Sequence, residues 1–431
     1  MGTAKAAPSR RRACGCCRSA DVTRFAVIAV LVAALLSPTG VFAHASLVRA
    51  EPADGAMMAE TPKVLTLTFN EPVSVLVMRI VGPGGEVVTA PATAENNVVT
   101  VTPPRLGQGS HVLSWRVVSG DGHPVGGSLL FSVGAASEPG ATASSNMVAR
   151  SALWATKLAV YVGMVLGIGG VFFRTWIEAR AGATSTLAAL LAIGLIAAPL
   201  SVGLQGLDAL DLTVSQLTQA EVWRAGWETA YGLTALTAEG AMLAGLFALA
   251  APIRLARALA LVGLAGIGLA LALSGHAGTV APRALTRLAV FLHGVCVAFW
   301  IGALIPLVVA IRAGEGAALA RFSRLAPLPL AVLVATGAAL MLVQLDHVDA
   351  LWTTRYGWVL VGKLVLVTAL FALAAVNRHV LTPRLQTGAA ARPLATSIRT
   401  ELALALVILA LVASWRSSAS RDRSRGSTRG W

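Results

Sequence analysis

The order of apolar and polar positions divides the chain into two regions of different period. From His44 to about residue 134 the two kinds alternate in short runs, as in Val64-Leu65-Thr66-Leu67-Thr68-Phe69 and His111-Val112-Leu113-Ser114-Trp115-Arg116-Val117-Val118. Gly/Pro turns such as Gly82-Pro83-Gly84-Gly85 separate the runs. Successive side chains of a strand point to opposite faces, so a period of two predicts antiparallel strands with one buried face each. Residues 44–134 are therefore expected to form an all-β sandwich, Greek-key and immunoglobulin-like or cupredoxin-like. After about residue 150 the alternation gives way to continuous apolar runs, at approximately 153–173, 184–205, 230–251, 256–274, 286–311, 325–345, 357–376 and 399–415. About 20 residues of helix cross about 30 Å of hydrocarbon, so residues 150–415 read as an all-α polytopic membrane domain of about eight helices. The last run is the shortest, and its crossing is left open.

The segments outside these regions have their own patterns. Residues 1–43 combine a basic start, an apolar run from Phe25 to Leu36 and Val41-Phe42-Ala43, the features of a secretory signal peptide cleaved before His44. An uncleaved signal anchor is the competing reading. Cleavage removes Cys14, Cys16 and Cys17 and leaves Cys296, so no disulfide can form within the mature chain. Residues 135–149 have the composition of a flexible linker, and 416–431 form a basic tail.

Composition and charge then exclude classes of function. A chain of 431 residues that is 56% hydrophobic and only 13% charged is too apolar for a soluble globule, so the lipid bilayer is a partner. The net charge of +14 would suggest nucleic acid in a soluble protein, but here the arginines sit in short loops between spans and at the chain ends. With the sandwich outside, Arg174, Arg180, Arg254, Arg257, Arg312, Arg321, Arg324, Arg378, Arg384, Arg392 and Arg399 fall inside, against Arg224, Arg283, Arg287 and Arg355 outside. This excess assigns the chain to the cytoplasmic (inner) membrane, multi-pass, with its N-terminal domain on the periplasmic or extracellular side. The arginines of the tail fall outside by parity, against the rule. Similar segments at Lys157–Val162 and Arg287–Leu292, and at Trp227–Gly232 and Trp352–Gly357, suggest two parallel four-helix halves.

Candidate chemistry concentrates at a few residues. A cleaved N-terminal His44 offers its α-amine and ring nitrogen together. Asp121 and His123, two apart, would point to one side on extended backbone and add a carboxylate oxygen and a second imidazole. Three nitrogens and one oxygen form a tetragonal set that suits Cu(II). Within the spans, polar side chains are functional candidates by default. His276 ends the fourth span and His293 lies about two turns into the fifth, so both are expected near the outer surface. Cys296 and Trp300 share a helix face with His293, and a thiolate at Cys296 would suit Cu(I), although a buried cysteine is often only a small apolar residue. Glu239 with Met242, and Met341 with Gln344, are further candidates. His347 and His379 read as interfacial.

These residues carry two family resemblances. His44, Glu51-Pro52-Ala53-Asp54-Gly55, Leu67-Thr68-Phe69-Asn70-Glu71-Pro72-Val73 and Trp115-Arg116-Val117-Val118-Ser119-Gly120-Asp121-Gly122-His123-Pro124 closely resemble the CopC copper-binding family. The resemblance implies that the positions of His44, Asp121 and His123 hold Cu(II), with that of Glu71 beside the metal in some members. The stretch Pro83 to Val98, where some relatives carry a methionine-rich Cu(I) site, has neither Met nor His, so one Cu(II) site is expected in this domain. Ser274-Gly275-His276-Ala277, His293 with Phe299-Trp300-Ile301-Gly302-Ala303-Leu304, and Thr354-Arg355-Tyr356-Gly357 followed by Lys363 and Asn377-Arg378 resemble the CopD copper-resistance membrane family. That resemblance favours His276 and His293 for copper contact. Cys296 is not associated with the family.

Together the resemblances imply a binding and transport protein rather than an enzyme. It would capture Cu(II) outside the membrane and pass copper to or across the helices, for import or resistance, with copper chaperones or copper enzymes as partners. With no nucleotide-binding loop and no Asp-Lys-Thr-Gly sequence, transport would be passive or gradient-driven. The alternatives are a membrane oxidoreductase with a histidine-brace copper site or haem, and a membrane-anchored copper buffer that transports nothing.

Overall fold

The computed structural model describes residues 45, 47–120, 122, 124–135, 147–178, 182–210, 212–273, 283–344, 355–387 and 390–418. The expected signal peptide, His44, Asp121, His123, most of the linker, His276, His347 and the tail from 419 lie outside the described residues.

Nine strands fold the N-terminal region into two facing sheets. They are β1 (Leu47–Glu51), β2 (Ala56–Met58), β3 (Leu65–Phe69), β4 (Val73–Val81), β5 (Val87–Thr89), β6 (Ala92–Glu95), β7 (Val98–Val101), β8 (Gly109–Ser119) and β9 (Pro124–Val133). One sheet has the order β1-β3-β7-β6 and the other β2-β9-β8-β4-β5. All pairings are antiparallel except that of β2 with β9. The expected alternation is realised in β3, where Leu65, Leu67 and Phe69 are buried while Thr66 and Thr68 are only half-buried. These side chains meet Val99 and Val101 of their own sheet and Met78, Ile80, Leu113, Trp115, Val117, Leu129 and Phe131 of the other in one core. Phe69 and Trp115 stack edge to face at 5.2 Å, the geometry the ring quadrupoles favour.

The helical region begins with α1 (Met147–Ile177), whose course is widened by π-helical stretches at Gly163–Ile168 and Phe173–Ile177. It continues with α2 (Thr184–Leu210), the short α3 (Ala220–Glu228), α4 (Ala230–Ala250), α5 (Ile253–Leu273), α6 (Arg283–Arg312), α7 (Gly316–Leu325), α8 (Pro327–Gln344), α9 (Arg355–Val376) and α10 (Arg392–Ser418). A π-helical turn, Asn377–Leu381, and a short segment, Thr382–Gln386, prolong α9. Among the described residues, seven helices are long and apolar enough to cross a membrane, or eight if α7 and α8, bent by 44°, are taken as one span. The bend falls at Pro327, which has no backbone N–H to continue the ladder from α7. The expected eighth span, 399–415, starts seven residues too late: α10 begins at Arg392 and runs for 27 residues. The segment 392–398 was counted with the inside loop that holds Arg392, but Pro393 near its start suits a first helical turn, and Leu394, Ala395 and Ile398 are buried.

The centre of this domain is the crossing of α1 and α6. Gly169 and Gly302 lie there in backbone contact: a Cβ at Gly302 would stand 2.4 Å from Gly169 Cα, and one at Gly169 would stand 2.0 Å from the carbonyl oxygen of Ala298. Helix α10 packs on both, with the Trp154 indole N–H donating to the Ala410 carbonyl at 3.0 Å.

The two ends of α1, about 46 Å apart at 1.5 Å per residue, have different neighbours. At its start Arg150 pairs with Asp208 at the end of α2, 3.4 Å away. At its far end Arg257 donates to the Thr175 carbonyl (3.0 Å), and Arg321 to the Ile177 carbonyl (2.8 Å) and the Glu178 carboxylate (3.0 Å). Arg378 reaches the Ser323 carbonyl on the same side. Arg257, Arg321 and Arg378, all assigned inside by the loop count, thus lie at one end, and the sandwich meets the other.

Candidate functional site

Strand register brings three loop starts to one end of the sandwich. Leu47 of β1 lies opposite Phe69 of β3, so the chain entering β1 at Ala45 runs beside the turn Asn70-Glu71-Pro72. Val73, which leaves that turn, pairs with Ser119, the last residue of β8. Val118 in turn pairs with Pro124, the first residue of β9. The ends that lead to His44, to Glu71 and to the 120–123 turn are therefore neighbours. Ala45 and Glu71 are both buried there, at 2% and 3% exposure. Asn97 ties this end together, its side-chain amide donating to the Phe69 carbonyl at 2.8 Å.

Asp121 and His123 lie outside the described residues, but Gly122 between them has φ +78° and donates its N–H to the Ser119 carbonyl at 2.8 Å. That bond closes a tight turn, and glycine adopts the positive φ without a Cβ penalty.

This turn seats the sandwich on the helices. The Gly122 carbonyl accepts the backbone N–H of Ala230, the first residue of α4, at 2.7 Å. A Cβ on Gly122 would lie 3.0 Å from that same nitrogen, so the close approach also calls for glycine. Arg116 on β8 reaches the backbone carbonyl of Asp208 at 2.5 Å. The contact runs from strand to helix with no linker between the interacting groups, whereas the sequence pattern only indicated a tether.

Beside Ala230 lies a buried polar cluster that sequence reading did not single out. Lys157 of α1, 5% exposed, donates to Gln205 of α2 at 2.7 Å and sits 4.8 Å over the ring of Tyr231. The Tyr231 hydroxyl is 2.9 Å from that of Ser201. Its signal was present in the sequence, a lysine and a glutamine each inside an apolar run, but which helices face each other is not visible in one chain's periodicity.

The membrane candidates are distributed. His293 on α6 is half-buried, with Nδ1 3.3 Å from the Thr336 hydroxyl of α8 and Cε1 close to Gly337. Cys296, 7% exposed, lies in the apolar cluster with Phe299, Trp300 and Leu333, and Trp300 packs on Phe371 at 4.9 Å. Met242 is fully buried in the gap left by Gly163 and Gly194, which is a packing role. Glu239 and Met341 are half-buried, and the Gln344 side chain lies outside the description. His379 is exposed. Among the described residues no three His, Cys, Asp or Glu side chains come together as a metal-holding group.

Fold and contacts define the class: a multi-pass membrane protein whose helical bundle carries a β-sandwich docked at one end. The CopC domain profile matches residues 47–134, and the profile for Copper resistance protein D (CopD) matches 316–415. Copper resistance protein C of Xanthomonas campestris pv. juglandis is 37% identical over 121 residues, covering 25% of this chain and 94% of that protein. Copper transport protein CutJ of Bacillus subtilis (strain 168) is 27% identical over 434 residues, covering 91% of this chain and 77% of that protein. The crystal structure of CopC from Methylosinus trichosporium OB3b aligns at 34% identity over 21% of this chain and 93% of its own, with a TM-score of 0.20. The chain belongs to the CopC/CopD copper-resistance family, as a fusion of a CopC domain with a CopD membrane domain.

Proposed function

We propose that the sandwich captures one Cu(II) ion on the periplasmic side of the membrane and passes copper to the helical domain, which moves it along or across the bilayer without enzymatic chemistry. His44, Asp121 and His123 would be the ligands, with the buried Glu71 carboxylate beside them. The observation that carries the reading is the bond from the Ala230 N–H to the Gly122 carbonyl: the residue between two proposed ligands is itself in contact with the helices. A buffer on an anchor has no need of that contact. The names of the relatives support copper as cargo, and the gathering of arginines at the end opposite the sandwich supports its external orientation. Within the bundle His293 is the described residue best suited to receive the ion, with His276 proposed as its partner, and Cys296 would serve only if the metal is reduced to Cu(I).

The full-length mature protein beginning at His44 should be titrated with Cu(II) beside the same protein carrying one extra N-terminal residue. A one-to-one, nitrogen-rich tetragonal electron paramagnetic resonance signal, weakened by the extra residue, is expected. Cells carrying His293→Ala or His276→Ala should then show altered copper accumulation while keeping that signal. A signal indifferent to the added residue would overturn the ligand set, and unchanged accumulation would overturn the path.

A further inference from the structure

At the arginine-rich end of the bundle lies a buried polar cluster made only of oxygen donors and one amide. Glu401, on α10, is 3% exposed, and its Oε1 accepts the Asn377 side-chain N–H at 2.6 Å. Asn377, 7% exposed, opens the π-helical turn that prolongs α9, and its backbone carbonyl accepts the Thr382 hydroxyl at 2.7 Å. Among the described residues two buried oxygens on these helices, Asn377 Oδ1 and Ser397 Oγ, have no hydrogen-bond partner. Ser397 stands four residues before Glu401 and so shares its helix face. A buried oxygen left unsatisfied costs stability and calls for an occupant, an ion or a water.

The charges around the cluster decide which occupant fits. Among the described residues Glu401 forms no ion pair. On α9 and its extension, Arg378 is engaged with the Ser323 carbonyl, His379 and Arg384 are exposed, and Lys363 is fourteen residues, about 21 Å, along the helix. On α10 itself Arg392 and Arg399 are exposed. On α6, Arg312 is exposed at the terminus and His293 is engaged with Thr336 five turns away. On α1, Arg150 pairs with Asp208, Lys157 bonds Gln205 near the sandwich, and Arg174 bonds Thr184. Glu178, just beyond α1, pairs with Arg321. A carboxylate within a membrane span needs a compensating cation. Carboxylate, amide and hydroxyl oxygens are hard ligands, and the cluster contains neither sulfur nor imidazole, so copper is a poor match.

We propose that Glu401, Asn377 and Ser397 form a site for a hard monovalent cation, a proton or a sodium ion, whose gradient drives copper through the helical domain. The driving role rests on the transport reading above; the site itself does not. Binding is tested first, without copper, on the purified full-length protein. Infrared difference spectra between acid and alkaline pH, and between sodium-free and sodium-containing buffer, should contain a carboxyl band that Glu401→Gln removes and Glu401→Asp shifts. Absence of a Glu401-dependent band in both comparisons overturns the site. The band's response to pH alone or to sodium identifies the ion. Copper entry into proteoliposomes is then followed with either gradient imposed. A severalfold acceleration by the same ion, lost in Glu401→Gln and reduced in Ser397→Ala, is expected, while an unchanged aggregation temperature in detergent reports that the bundle of each variant remains folded. Copper entry indifferent to both gradients overturns the coupling and leaves the transport reading intact. No copper entry with an intact Glu401 band overturns the transport reading, and with it the coupling.

Discussion

The sandwich and the bundle meet different solvents, and their closest contacts are made differently. The sandwich core is filled by large side chains from two sheets: Phe69, Trp115 and Phe131 with Leu65, Leu67, Leu113 and Leu129. The bundle adds a backbone contact, where Gly169 meets Gly302 and Ala298; on one side of it the buried residues are half alanine, and on the other they include Phe173, Phe299, Trp300 and Phe322. In water, burying a large apolar side chain is favourable by about 1.5–3 kcal/mol, so strands that carry bulky residues gain by meeting. In a bilayer the lipid is as apolar as leucine, and helices gain by close backbone approach and internal hydrogen bonds. The Lys157–Gln205 and Asn377–Glu401 pairs are the second kind of gain.

This contrast can be broken by removing volume in one region and adding it in the other. Phe131→Ala should have the largest effect, destabilising the sandwich by about 3–5 kcal/mol, since the ring is fully buried. Thermal or denaturant unfolding followed by tryptophan fluorescence of the purified protein would record it, and a loss under 1 kcal/mol would refute the tight-core description. Next comes Gly302→Ala. A single added methyl group against Gly169 should cost about 1–3 kcal/mol of bundle stability, seen as earlier aggregation in detergent on heating, whereas Ala298→Gly in the same crossing should be milder. If Gly302→Ala is neutral, the helices do not pack through backbone contact. A smaller loss, about 0.6 kcal/mol, is expected for Gln205→Leu, which takes one hydrogen-bond partner from Lys157 within the bundle, measured by the same heating assay. The smallest effect on stability belongs to Arg116→Met, which removes a bond across the docking contact and should leave both melting transitions in place. Its readout is faster proteolytic release of the sandwich. Equal protease resistance in wild type and variant would show that Arg116 does not hold the two regions together.

The sandwich was the more legible region. Period-two alternation identified β3 and β8 and the buried face of each, because pleated backbone maps sequence parity directly onto sheet face. The spans were legible by length and apolarity, with errors where chemistry interrupts hydrophobicity. The last span was begun too late, at Arg399, because what packs on the segment 392–398 is not visible in the sequence. The same gap hid the Lys157 cluster. The ligand set expected at Asp121 and His123 lies outside the described residues; what the structure adds there is the left-handed conformation of Gly122.

By itself, the sequence determined what each segment could be. Alternation made strands, unbroken apolarity made spans, and the arginine distribution separated the two ends of the bundle, because these follow from local geometry and from the solvent each segment meets. Only the tertiary structure decided which segments face one another: the Gly122 turn on the start of α4, Gly169 against Gly302, and Asn377 against Glu401. Those pairings depend on the relative placement of elements far apart in the chain, and a pattern read one residue at a time carries no distance between them.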